Sequence, residues 1–101
     1  MHVEQIFWDL EDDKEGNYWH IVIEGHGITK EEVEEVLSDP GNPTDHSRSS
    51  DENITFGHTS SGKYIAVVWN EVTEDPLAVY PITAYEVPPP ARKNKKGRKK
   101  R

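Results

Sequence analysis

The chain has no cysteine, which excludes disulfides, thiolate metal centres and cysteine nucleophiles. It has one methionine and two phenylalanines, so Ile, Val and Leu together with the three tryptophans must supply most of any core. Each tryptophan can bury roughly 150–250 Å². Long apolar runs are absent. The longest, Ile65-Ala66-Val67-Val68-Trp69, is far short of the ~20 residues a membrane helix needs, so no membrane partner is expected. The first residues, Met1-His2-Val3-Glu4, lack the basic-then-apolar layout of a secretory signal, and a cytoplasmic location is the expectation. Positive charge is scarce over most of the length. Only Lys14, Lys30, Arg48 and Lys63 precede residue 91, against all 19 acids, which gives that segment a charge of −15. The other eight bases crowd between Arg92 and Arg101, so the net charge of −7 averages an acidic body and a basic tail.

A length of 101 residues allows one domain, placed here at residues 1–87, with residues 88–101 forming a Pro-rich spacer and a disordered basic tail. Residues 3–8 suit an opening strand. Residues 16–25 combine helical spacing at Tyr18, Ile21 and Val22 with a β-branched run that also suits a strand; helix is preferred. The next helix is well marked. Thr29 and Glu32 form a capping box, Ile28 and Val33 a hydrophobic staple, and Val33, Val36 and Leu37 an apolar stripe ending at Asp39-Pro40-Gly41. A polar, turn-rich stretch runs from Gly41 to Glu52. Strands follow at 54–58, 64–72 and 77–87, joined by hairpin loops at 59–62 and 73–76. Pro81 marks an edge or a bulge in the last strand. The fold class is therefore α+β: two short helices packed on an antiparallel sheet of about four strands.

Several patterns look like chemistry. Gly57 to Lys63 has the G-x-x-x-x-G-K spacing of a P-loop, but the next residue is Tyr64, which opens a strand; a hairpin turn explains it better. The five histidines show no metal-ligand spacing, so neither metal nor other cofactor is expected. Ser47-Arg48-Ser49-Ser50 could grip a phosphate through a guanidinium fork and hydroxyls, or form a solvated turn in which Arg48 pairs with a carboxylate. The tail has no aromatic residue. It suits sequence-independent contact with polyanions, or it solubilises the chain or folds back on the acidic body.

Phe7-Trp8-Asp9, His26-Gly27-Ile28-Thr29, Glu31 to Leu37 and Asp39-Pro40, followed by Gly62-Lys63-Tyr64-Ile65-Ala66-Val67-Val68 and Ile82-Thr83-Ala84, together resemble the BrnT-like group of the RelE superfamily. These are toxin components of type II toxin–antitoxin systems, and the likeness spans roughly residues 6–86. It implies a small ribonuclease-like fold that cleaves ribosome-associated or free mRNA without a metal and is silenced by a cognate antitoxin. Such cleavage uses the RNA 2′-hydroxyl as nucleophile and needs a base, an acid and cations for the phosphate charge. On this resemblance His26 matches the histidine before the helix, Lys63 the base opening the central strand, and Thr83-Ala84 a Ser-Ala pair. Where the family places an arginine after that pair, this chain has Tyr85 and Glu86.

The expected catalytic set is therefore His26 or Tyr85 for proton transfer and Arg48 with Lys63 for phosphate. Tyr64, Tyr80 and Trp69 are either base-stacking platforms or core residues, and His20 orients a neighbour or caps a helix. Without the family arginine, catalysis is weakened or lost. The rival expectation is a non-catalytic protein- or nucleic-acid-binding module of the same fold.

Overall fold

The longest apolar run becomes the centre of the structure. In a strand, successive side chains face opposite sides, so five consecutive buried residues require cover on both faces. Ile65 to Trp69 lie in the long strand β4 (Tyr64–Glu74), and all five are buried. The computed structural model describes residues 2–25, 27–47 and 50–90. Within them β4 is the third strand of a five-stranded sheet ordered β1 (Gln5–Ile6), β5 (Leu77–Glu86), β4, β3 (Glu52–His58) and β2 (Thr44–His46).

The sheet is mixed rather than purely antiparallel, and it has five strands rather than about four. β1 runs parallel to β5, with Gln5 opposite Ala78 and Ile6 opposite Val79. The strand expected over residues 3–8 narrows to two, although Glu4 N–H to Leu77 O and Phe7 N–H to Val79 O extend its bonding at either end. β2 lies inside the stretch read as turn-rich. Thr-Asp-His offers no apolar pattern, and the strand exists through its ladder to β3 and a 2.7 Å hydroxyl pair between Thr44 and Thr55. β4 reaches Glu74, so the 73–76 loop contracts to a turn at Asp75-Pro76. Pro81 does sit at a bulge: Val68 pairs with Thr83, yet Trp69 pairs with Pro81. β5 is nevertheless an inner strand.

Both helices pack on one face. The first is a π-helical turn, Trp19–Ile23, with Glu24 N–H bonded to Trp19 O at 2.8 Å. A strand would put Ile21 and Ile23 on the same side. Here Ile21 is 1% exposed and Ile23 52%, a separation that the helical turn provides. Helix α1 (Lys30–Ser38) begins with the expected capping box, Thr29 Oγ1 accepting from Glu32 N–H and Glu32 Oε1 from Thr29 N–H. Its stripe Val33, Val36 and Leu37 is fully buried against Ile65, Val67 and Trp69. Burial of side chains this size stabilises by about 1.5–3 kcal/mol each. At its end Asn42 Nδ2 donates to Val36 O at 2.9 Å. Asn42 lies so close to Gly57 that a Cβ there would sit 2.4 Å from its side-chain nitrogen, which explains the glycine.

No helix lies over the other face among the described residues. Strand register sets three rows of side chains across it: His58–Tyr64–Val87, Phe56–Ala66–Tyr85 and Ile54–Val68–Thr83.

Candidate functional site

The 59–62 segment forms the hairpin turn that its glycine suggests, with Gly62 at φ 96° and Thr59 N–H bonded to Lys63 O. This turn directs Lys63 toward the helical side. Its ammonium donates to Glu32 Oε1 at 2.9 Å and to the Gly27 carbonyl. Glu32 is 7% exposed. Burial alone would raise its carboxyl pKa. The Ser61 hydroxyl, the Thr29 N–H and the Lys63 ammonium, all aimed at it, outweigh that and hold it at about 2. Lys63 thus clamps the β3–β4 turn to the start of α1, with its charge already neutralised.

Tyr85 stands on the opposite, open face. It pairs with Ala66 across the ladder and is 40% exposed, while Ala84 beside it belongs to the core. Ala66 separates Tyr85 from Phe56. Tyr64 stacks on Phe56 with ring centres 6.4 Å apart and planes 16° apart, and the His58 ring is 4.6 Å from Tyr64. The face therefore presents aromatic groups around a small, fully covered alanine.

Lys63 and Tyr85, the two catalytic candidates among the described residues, do not converge, since the sheet lies between them. His26 and Arg48 lie outside the described residues. Ser47 and Ser50 are placed at the far end of the β2–β3 hairpin. The seven residues of β3, at ~3.3 Å each, put that hairpin end roughly 20 Å from the Lys63 end. A cleft of about 460 Å³ there is lined by His46, Ser47, Ser50, Asp51, Asn53 and Glu71, so its described charges are negative.

The other sequence candidates divide clearly. Trp69 is 2% exposed and donates Nε1–H to Thr55 Oγ1 at 2.8 Å, so it is a core residue rather than a platform. The Tyr80 hydroxyl donates to Asp9 Oδ2. Burial, with the hydrogen bond to Asp9 and its negative charge, pushes the Tyr80 pKa up to about 12. The Asp9 carboxylate is held below its usual range by that bond and by the Asn17 N–H. His20 is exposed, 3.8 Å from Glu24. Of the described lysines, Lys14 lies over the Trp19 ring at 5.5 Å and Lys30 over Trp8 at 6.0 Å. Each described lysine therefore has a carboxylate or a ring as its partner.

No family model, curated protein or solved structure matches the chain. Its residues must therefore speak for themselves, and one that the sequence reading missed is prominent. Asn17, 3% exposed, accepts from Asp9 N–H and donates to the carbonyls of Phe7 and Pro81. It ties the exit of β1 to the bulge of β5. A single asparagine at the start of a short helical stretch carries no sequence signal for such a role.

Proposed function

We propose that this chain is a BrnT/RelE-like toxin component that acts on RNA when free of its antitoxin. The observation that carries the reading is that motif segments far apart in sequence meet in space. Trp8 Nε1–H donates to Glu34 Oε2 at 3.0 Å, and Thr29, Glu32 and Lys63 form one hydrogen-bonded cluster. This packing supports the reading, and function is inferred from the resemblance by fold-level analogy. In this reading His26 or Tyr85 transfers the proton, and Arg48 with the basic tail supplies charge for the phosphate.

Induced expression of the wild type, Arg48→Ala and Tyr85→Phe in a bacterial host tests it. Growth arrest with cleaved mRNA in the wild type, relieved in both variants, is the expected outcome. Arrest in all three, or in none, refutes the catalytic assignment.

The engagement of Lys63 by Glu32 and Gly27 favours a second reading, a binding module without catalysis. It predicts intact mRNA in every strain while the fold and its partner interactions persist.

A further inference from the structure

Two of the three rows of the open face, His58–Tyr64–Val87 and Phe56–Ala66–Tyr85, contain no Asp, Glu, Lys or Arg, although the body around them carries a charge of −15. Charged residues nevertheless border it. Asp45 is in register with Ile54 and so shares its face, and Glu52 follows opposite Asn70; both are exposed. Beyond β5, a cleft of about 310 Å³ is lined by Lys14, Glu15, His20, Glu24, Tyr80 and Ile82. An uncharged aromatic centre inside a charged rim is the layout of a protein-binding surface, because interface cores are depleted in charge and enriched in Tyr and Phe.

We propose that this face docks a basic partner protein, through an extended segment that lays aliphatic side chains on Phe56 and Tyr85 and sets Lys or Arg against Asp45 and Glu52. Charge complementarity selects this occupant. A second copy would bring the same acidic rim and be repelled. Residues 91–101 carry eight bases but Ala91 is their only apolar residue, so they match the rim without filling the centre. RNA would find aromatic surfaces but meet carboxylates where its phosphates need cations. The inference does not rest on catalysis: a partner bound here would cover Tyr85 whether or not that residue transfers protons.

The test titrates the full ¹⁵N-labelled chain with a nonapeptide of alternating lysine and leucine, its lysine–serine counterpart, nona-arginine and oligouridylate. The lysine–leucine peptide is expected to shift the amides of Phe56, Ala66, Val68 and Tyr85, with the lysine–serine peptide and nona-arginine leaving them unmoved. Its affinity should fall about tenfold in Tyr85→Lys and again in Asp45→Lys/Glu52→Lys. Because the two peptide controls leave the protein unchanged, the result stands even where a variant fails to fold. Failure of the lysine–leucine peptide to move those amides, an equal response to nona-arginine, or a face that answers to oligouridylate alone overturns the proposal.

Discussion

Replacing Glu32 with glutamine removes one charge from a buried cluster while leaving an oxygen to cap the Thr29 N–H. The carboxyl falls from an ordinary value of 4.5 to about 2 in the folded chain. At about 1.4 kcal/mol per unit this corresponds to about 3 kcal/mol of stability, and partial solvent access to Lys63, whose side chain is 28% exposed, reduces it to about 2–3 kcal/mol. The sign follows from the depressed pKa. The stabilisation is complete above pH 4.5 and disappears as pH falls toward 2. Urea unfolding followed by tryptophan fluorescence across this range should show wild type and Glu32→Gln separated by about 2–3 kcal/mol at pH 7 and converging near pH 2. A separation that stays constant throughout the range would show that the ionised Glu32 carboxylate is not preferentially held by the fold.

Four further outcomes are expected. Asn17→Ala removes three hydrogen bonds of a buried side chain and should cost about 2–4 kcal/mol in the same urea assay. Thr55→Val strips the acceptor from Trp69 Nε1–H and the partner from Thr44, and should cost about 1–3 kcal/mol, with Trp69 emission reporting its altered surroundings. At high pH, the raised Tyr80 pKa gives stabilisation that is complete below pH 10 and lost between 10 and 12, and Tyr80→Phe should flatten that limb of the stability profile. Deleting residues 91–101 should weaken retention on an RNA column and reduce the slope of log affinity against log salt, while unchanged retention would remove the tail from any polyanion role.

What was readable in the sequence was local. The α1 cap is written within four residues, Thr29 to Glu32, and the apolar run 65–69 declares a strand. Pro81 signalled its bulge because a missing N–H disrupts any ladder. β2 stayed hidden because an edge strand of Thr-Asp-His shows no apolar alternation, and the parallel direction of β1 because its partner lies in the last strand. The candidate site failed to converge for the same reason. Lys63 reads as a free cation until Glu32, 31 residues away, is found beneath it. Tyr85 was legible only as a departure from a pattern. The aromatic stack beside it depends on a register that no single segment encodes.

The pairing of Gln5 with Ala78 also affects how the protein is made. During synthesis the first strand leaves the ribosome early and waits for β5, which at ~5–20 residues per second takes several seconds. Until then Val3 and Ile6, which later pack against the core, lack the strand that lies beside them. The meander from β3 to β5 closes through neighbouring hairpins and can assemble as it emerges. The last act of folding is therefore the return of the beginning of the chain to its end, and a chain interrupted before Ala78 would expose its opening strand with nothing to pair it.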